Sequence, residues 1–223
     1  MPQLVVYCHG FQSSPQSAKA LATRQYFQQH HPKVRLATPQ LPCYPGEAQA
    51  YLTRLLAPYQ DWQLGFIGSS LGGYLSTWLQ QTYGGRAVLI NPAVKPYALL
   101  SEYQMELVQP YTGEIFQLNE QHITELKALD TPTLSAPENL WTLLQTGDET
   151  LDYRDAEQKY QHAKLTVEQG GDHSFVGFER HLLSNCRFFT EISVIRGADG
   201  CVAAPFGVKQ AHRFCPITAQ LQR

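Results

Sequence analysis

The run from Trp62 to Gly73 constrains the fold of this chain most, because its apolar segment leads directly into Gly68-Ser69-Ser70-Leu71-Gly72. The pattern Gly-x-Ser-x-Gly is typical of a nucleophile elbow, in which a strand turns sharply into a helix and leaves one serine at the apex. The two glycines are needed where the strand and helix backbones pass too closely for a Cβ atom. The motif therefore predicts that Ser70 has a strained backbone and an exposed hydroxyl at the carboxyl end of a sheet.

The residues on both sides of the motif favour an elbow over an ordinary glycine-rich loop. Residues 64–67 predict a strand that enters the motif. A helix that begins at Leu71 would direct its free backbone amides and its positive dipole end toward the Ser70 hydroxyl. The sequence after the motif predicts this helix, because apolar side chains recur at helical spacing in Leu71, Tyr74, Leu75, Trp78 and Leu79.

Strand and helix patterns alternate along most of the chain. This alternation predicts an α/β fold whose six strands form a doubly wound, mostly parallel sheet. The strand candidates are short runs rich in apolar residues, at 4–8, 34–37, 64–67, 86–90, 139–145 and 164–168. The helix candidates are a segment from Ser17 to His30 and stripes within residues 48–56, 71–79, 153–162 and 178–189.

Residues 92–137 break the alternation, because they are too many for a simple strand-to-helix connection. They contain two helix-like patches, at residues 97–107 and 120–129. We therefore expect a helical, cap-like insertion after the fourth strand, within one domain that spans residues 1–192. Residues 193–223 show no sustained amphipathic period, and we expect a C-terminal tail there.

Composition excludes several classes of protein. Of the 223 residues, 43% are hydrophobic and 16% are charged, which is typical of a folded globular chain. The net charge of −2 supplies no basic surplus for binding phosphates, so we expect no nucleic-acid partner. No apolar run approaches the length of a signal-peptide core or a membrane span. The five cysteines are irregularly spaced, which favours reduced thiols, a cytoplasmic location and no zinc site.

Four predicted strands end close to residues that carry useful chemistry, namely His9, Ser70, Asp148 and His173. Open α/β sheets place their functional sites at the carboxyl ends of their strands. A serine hydroxyl needs a base with a pKa near 7 to take its proton, and a histidine held by a carboxylate meets that need. The order Ser70, Asp148, His173 is the order of nucleophile, acid and base in α/β-hydrolases.

The acid has two rivals. Glu149 is adjacent to Asp148, and Asp152 begins the next helix, where it also fits as an N-cap. We favour Asp148 because it directly follows the strand and its glycine. Asp172 neighbours His173 in the sequence, so its side chain is poorly placed to reach around to the imidazole ring.

The first loop and the elbow would supply the other site groups. The negative oxygen that develops on an attacked carbonyl requires preorganised hydrogen-bond donors. We expect these donors to be the backbone N–H groups of Phe11, in the first loop, and of Leu71, directly after Ser70. Gly10 would let the first loop approach the serine closely. We interpret His9 as a structural residue that positions this loop.

Several motifs together resemble the YqiA-like esterases, a small bacterial branch of the α/β-hydrolase superfamily. The motifs that carry the resemblance are His9-Gly10-Phe11, Ser13-Ser14-Pro15, Ser17-Ala18-Lys19, Pro39-Gln40-Leu41-Pro42, Gly68-Ser69-Ser70-Leu71-Gly72-Gly73-Tyr74, Asn91-Pro92-Ala93-Val94, Pro110-Tyr111-Thr112-Gly113, Gln145-Thr146-Gly147-Asp148-Glu149 and Gly170-Gly171-Asp172-His173. They span roughly residues 4–190, and residues 193–223 depart from the family pattern. The resemblance implies an esterase that acts on carboxylic esters or acyl thioesters, with Ser70, Asp148 and His173 at the triad positions.

These observations predict a serine esterase that forms an acyl-enzyme on Ser70 and requires no metal or cofactor. Its partner would be a small-molecule acyl ester or thioester. The alternative is a non-catalytic small-molecule-binding or adaptor protein on the same scaffold. We expect the insertion to line an acyl pocket, although ordinary packing onto the sheet would also explain its apolar residues. The residues in question are Leu99, Leu100, Met105, Leu107, Ile115 and Phe116.

Overall fold

A parallel sheet forms the centre of the protein, in a computed structural model that describes residues 1–103 and 105–190. In chain order the strands are β1 (Gln3–Cys8), β2 (Arg35–Ala37), β3 (Gln63–Ser69), β4 (Arg86–Ile90), β5 (Glu106–Val108), β6 (Ile115–Gln117), β7 (Leu140–Gln145) and β8 (Lys164–Glu168). Six of them form the sheet in the order β2-β1-β3-β4-β7-β8, and all neighbours pair in parallel. The predicted sheet is confirmed.

Helices cover both faces of the sheet. In chain order they are α1 (Ala18–His30), α2 (Pro45–Leu56), α3 (Leu71–Tyr83), α4 (Pro96–Leu100), α5 (Glu120–Ala128), α6 (Tyr153–Lys159) and α7 (Leu182–Thr190). Side chains of β1 alternate between two apolar clusters, because successive residues of a strand point to opposite faces. Leu4 and Val6 pack in a cluster with residues of α2, α3 and α6, whereas Val5 and Tyr7 pack with residues of α1 and α7. The sheet is therefore doubly wound.

The insertion differs from its prediction. Residues 97–107 do not form one helix, because α4 ends at Leu100 and residues 106–108 form β5, which pairs antiparallel with β6. The loop between these strands closes through Gln109, whose N–H donates to Glu114 O at 2.8 Å and whose carbonyl accepts from Gly113 N at 2.9 Å. A short apolar run fits a helix or a strand by periodicity alone. The glycine between the two runs is the signal for a hairpin.

The second patch of the insertion is a helix as predicted, α5, which begins with a capping box at Asn119. The proposed domain boundary near residue 192 and the tail at residues 193–223 lie outside the described residues.

Within residues 1–103 and 105–190, no helix combines the length and the apolar character needed to cross a bilayer.

Candidate active site

Ser70 lies at the apex of the turn between β3 and α3, with backbone angles φ 56° and ψ −120°. Positive φ is strained for a residue with a Cβ atom and persists where the surroundings enforce it. Both flanking glycines are required, but only Gly68 lies where β3 and α3 approach each other as predicted, whereas Gly72 approaches the neighbouring strand β1. A Cβ on Gly68 would lie 2.0 Å from Gly72 O, and a Cβ on Gly72 would lie 2.0 Å from Cys8 O. The strained elbow that the motif predicted is therefore present.

Backbone hydrogen bonds attach the elbow to the neighbouring strand β4. The N–H of Ser70 donates to Ile90 O at 3.0 Å, and the carbonyl of Ser70 accepts from Ala93 N at 3.1 Å. Gly10, after β1, also lies close to the serine, since a Cβ on Gly10 would lie 3.9 Å from Ser70 Oγ. The serine is thus held between the ends of β1, β3 and β4.

His173 lies on the loop that follows β8 and completes a chain of hydrogen bonds. Its Nε2 atom is 3.0 Å from Ser70 Oγ. Its Nδ1 atom is 2.9 Å from both carboxylate oxygens of Asp148. The three side chains lie on three separate segments of the chain, and the order of contacts is serine, imidazole, carboxylate. This geometry permits proton transfer from the hydroxyl to a ring whose tautomer the carboxylate sets.

Asp148 is enclosed by donors. Its side chain is only 2% exposed, and its Oδ1 atom accepts the backbone N–H groups of Thr150 at 2.9 Å and Leu151 at 2.8 Å. Burial raises the pKa of Asp148, but hydrogen bonds from His173, Leu151 and Thr150 outweigh it and hold the pKa below its usual value. The carboxylate is therefore ionised at neutral pH and can stabilise a positive imidazolium.

The rival carboxylates have other partners. Glu149 Oε2 accepts the backbone N–H of His173 at 3.0 Å. Asp152 is the N-cap of α6, accepting from Arg154 N at 3.0 Å. Asp172 Oδ1 accepts from Ser174 Oγ. Of these four acids, Asp148 is the one that contacts the imidazole ring.

Two side chains that sequence reasoning did not assign support the histidine loop. Asn91, directly after β4, donates from Nδ2 to Asp172 O at 3.0 Å and to His173 O at 3.3 Å. Lys19 Nζ donates to Ser174 O at 2.5 Å. The backbone of Asn91 has φ 38°, a conformation that asparagine adopts more readily than most residues with a Cβ atom. An asparagine placed between a predicted strand and Pro92 is the sequence signal that could have identified this residue.

The two amides expected to bind an oxyanion follow residues that lie close together, since Leu71 directly follows Ser70 and Phe11 directly follows Gly10, where a Cβ would lie 3.4 Å from Ser70 Cβ. Leu71 is the first residue of α3, where an N–H group has no partner within the helix. Phe11 lies in the loop after β1, next to Gly10. Within the described part of the chain neither amide donates a hydrogen bond.

His9 connects the first loop to the loop that precedes α2. Its Nε2 atom accepts the backbone N–H of Leu41 at 2.9 Å, so its proton lies on Nδ1, which donates to Gly10 O at 2.8 Å. Burial lowers the pKa of His9, which keeps the ring neutral. These contacts agree with the interpretation of His9 as a structural residue.

An apolar cavity of about 40 Å³ adjoins the first loop and α3. Leu100 and Phe116 line it, as expected. The expectation is wrong for Leu99, Met105 and Ile115, which are solvent-exposed. Leu107 packs against the core and does not line the cavity, as the alternative of ordinary packing predicted. Ile115 and Phe116 are adjacent in β6 and point to opposite faces, because side chains alternate along a strand. The apolar lining residues from α3 and the insertion are Leu71, Leu75, Leu100, Phe116, Leu118 and Leu126.

Comparison with solved structures identifies the fold. A hydrolase candidate from Agrobacterium vitis S4 matches with a TM-score of 0.65 and 17% identity over 85% of this chain and 88% of its own. The metagenome-derived lipolytic enzymes LipS and LipT are represented by a match with a TM-score of 0.61 and 18% identity, over 84% of this chain and 93% of the other. Est1E from Butyrivibrio proteoclasticus matches with a TM-score of 0.58 and 12% identity, over 83% of this chain and 85% of its own.

These similarities show that the chain has the α/β-hydrolase fold. The family follows from the sequence itself, since the model of the Uncharacterised protein family (UPF0227) matches residues 4–190. The chain belongs to that family, and the resemblance to the YqiA-like family is confirmed. In the part of the chain that the structure describes, no three His, Cys, Asp or Glu side chains are grouped to hold a metal ion.

Proposed function

We propose that this protein is a serine hydrolase that cleaves carboxylic esters or acyl thioesters through an acyl-enzyme on Ser70. One observation carries the proposal, the continuous series of hydrogen bonds from Ser70 Oγ through the imidazole of His173 to Asp148. A serine held at positive φ beside an imidazole and a buried carboxylate has the geometry that activates a hydroxyl.

The first half of the reaction forms the acyl-enzyme. Ser70 Oγ attacks the carbonyl carbon while its proton moves to His173 Nε2. The carbonyl oxygen becomes negative and accepts hydrogen bonds from the amides of Phe11 and Leu71. The intermediate then collapses, the bond to the leaving alcohol or thiol breaks, and His173 returns the proton to the leaving group.

The second half releases the acid. A water molecule gives its proton to His173 Nε2 as its oxygen attacks the acyl carbon, and the same two amides hold the new negative oxygen. Collapse breaks the bond to Ser70 Oγ, which recovers its proton from His173. Throughout, Asp148 fixes the ring orientation and stabilises the imidazolium, consistent with a pKa below its usual value.

Ester substrates are favoured by the structural relatives and by the cavity. A domain from a Rhodothermus marinus protein, which matches with a TM-score of 0.58, is named as an esterase domain. The cavity that Phe11 and Leu71 line is mostly apolar, which is the chemical character that an acyl chain requires. Thioesters present the same carbonyl and an equally apolar chain, so both belong to the proposed substrate class.

Replacement of the serine tests the proposal. Ser70→Ala should abolish covalent labelling by a fluorophosphonate probe and lower p-nitrophenyl butyrate hydrolysis by about 10⁶-fold, by analogy with a serine protease. Ser184→Ala, at an exposed serine on α7, is the matched control and should leave both unchanged. Circular dichroism should show that both variants are folded.

Undiminished labelling of Ser70→Ala would remove Ser70 as the nucleophile. A parent protein that cleaves neither a series of p-nitrophenyl esters nor a series of acyl-CoA thioesters would contradict the proposed reaction. Comparison of the two series also decides between ester and thioester.

A further inference from the structure

We propose that Gln109 is a positioning residue for the oxyanion hole, acting on the loop that carries the amide of Phe11. The inference rests on the proposed hydrolysis, because it concerns one of the two expected oxyanion donors. Leu71 owes its place to the start of helix α3. Phe11 lies in a loop outside regular structure, so other contacts must hold its amide.

The side chain of Gln109 is nearly buried, with 2% exposure, and both ends of its amide are paired. Nε2 donates to Ser13 O at 2.6 Å, which joins the insertion to the first loop. Oε1 accepts the backbone N–H of Tyr111 at 2.7 Å, which fixes the orientation of the amide. A buried amide that is paired at both ends is a rigid connection, since movement would leave a polar group unpaired.

The backbone of Gln109 is also fixed. It closes the loop of the hairpin β5–β6 through its bonds to Glu114 and Gly113. The hairpin therefore provides a stable base from which the side chain reaches the first loop. Its contact with Ser13 lies two residues from the amide of Phe11.

The first loop needs such a connection because its backbone is strained. Gln12, between Phe11 and Ser13, has φ 49°, a left-handed conformation that a residue with a Cβ adopts when its surroundings enforce it. Gln12 Nε2 donates to Val108 O at 3.0 Å, which is a second bond between this loop and the hairpin. Gln12 is thus hydrogen-bonded to Val108, the residue that precedes Gln109.

Aromatic contacts complete this side of the loop. The ring of Phe11 meets Phe116 edge-to-face at 5.9 Å between centroids and Tyr103 at 6.2 Å. From the segment that precedes α2, Gln40 Nε2 reaches the same Ser13 O at 3.3 Å, a longer bond than that from Gln109. The loop is therefore held between the segment that precedes α2 and the insertion, and Gln109 makes the shorter of the two bonds to Ser13.

Loss of the Gln109 bond should affect the transition state more than substrate binding. An oxyanion donor acts only when it lies within hydrogen-bond distance of the oxygen as negative charge develops, and a shift of about 1 Å can cost about 100-fold in rate. Gln109 itself lines the apolar cavity, and a replacement side chain of the same length would keep the size of that cavity. The signature of the positioning role is therefore a lower kcat with little change in KM.

The experiment compares Gln109→Met with Gln121→Met. Methionine keeps the length of glutamine and removes its donor. Gln121 is an exposed glutamine on α5 of the same insertion, and it is the matched control. Gln109→Met should lower kcat for p-nitrophenyl butyrate by about tenfold or more. Amide hydrogen exchange should become faster in residues 9–13 and stay unchanged in residues 120–128.

Unchanged exchange in residues 9–13 of Gln109→Met would overturn the proposal, whether or not the protein hydrolyses esters. If the parent protein is active, an unchanged kcat in Gln109→Met would overturn it as well. A parent without Ser70-dependent hydrolysis would overturn the proposed function instead, and the exchange measurement would still decide whether Gln109 holds the loop.

Discussion

The rim of the sheet and the insertion position their side chains in different ways. At the rim, Ser70, Asp148 and His173 follow parallel strands within a few residues, so the backbone sets where each group lies. The insertion consists of short elements, and several of its large apolar side chains, including Met105 and Ile115, are exposed. Its useful residues are held by side-chain contacts. The difference teaches that rim substitutions should change the chemical step directly. Insertion substitutions should change substrate binding, the attachment of the insertion or, through the position of the first loop, kcat.

Among the variants that test this contrast, Asp148→Asn should have the largest effect, which is a loss of kcat. The amide cannot stabilise the imidazolium and favours the wrong tautomer of His173, so kcat should fall by about 10³–10⁴-fold, by analogy with a serine protease. Steady-state kinetics with p-nitrophenyl butyrate would measure this loss.

Glu149→Gln is the matched control for that variant, because it changes the adjacent residue from acid to amide. The amide introduced at position 149 would still offer an oxygen to the backbone N–H of His173, so we expect a much smaller loss of kcat than for Asp148→Asn. A larger loss for Glu149→Gln than for Asp148→Asn would show that the carboxylate at position 149 is the acid.

A smaller effect, on stability, should come from Asp130→Asn, where the insertion is attached to the core. Asp130 accepts from Tyr97 Oη at 2.8 Å and pairs with Lys159 at 3.2 Å, and the side chain of Lys159 is only 9% exposed. Removing the charge leaves Lys159 without its ionic partner. We expect the free energy of unfolding at pH 7 to fall by about 2 kcal/mol, as measured by urea denaturation.

The pH dependence of this loss has a definite sign. Burial raises the pKa of Asp130, but the hydrogen bond from Tyr97 and the charge and hydrogen bond of Lys159 outweigh it, so the pKa is below its usual value. The stabilisation that the ionised Asp130 carboxylate provides is therefore complete above about pH 4. It is lost as the pH falls through the lower pKa that Asp130 has in the folded state. The difference between parent and variant should shrink on acidification.

Asp152→Asn provides the control for Asp130→Asn. Asp152 is exposed and caps α6, and asparagine caps a helix equally well, so stability should hardly change. A difference between parent and Asp130→Asn that grows on acidification would contradict the assigned role of Asp130.

The smallest effect should come from Phe116→Leu, on the inward face of the insertion. Phe116 is buried and lines the cavity, so a smaller side chain should extend the space for an acyl chain. The ratio of kcat/KM for an octanoyl ester to that for a butyryl ester should rise about tenfold. Ile115→Leu, on the outward face of the same strand, should leave the ratio unchanged. An unchanged ratio in Phe116→Leu would mean that the acyl chain lies elsewhere.

Much of the rim was predictable from local sequence. Gly68 and Gly72 indicated the elbow because only glycine fits where a Cβ would meet backbone at 2.0 Å. The strand predicted at 86–90 agrees with β4, because buried parallel strands are short apolar runs between turns. The strand predicted at 164–168 agrees with β8. The insertion was less predictable. Residues 97–107 satisfied a helical pattern, yet pairing with β6 made residues 106–108 a strand, and such pairing depends on a distant partner.

The amino-acid sequence by itself determined the alternation of strands and helices, the strained serine and the order of serine, acid and base, because each depends on spacing within a few residues. The sequence favoured Asp148 but left rivals, and the tertiary structure decided which carboxylate meets His173, because Asp148 and Glu149 are adjacent in sequence and the fold turns only one toward the imidazole. It also decided that Gln109 reaches Ser13, since a bond between residues 96 positions apart forms only when the hairpin folds back onto the first loop.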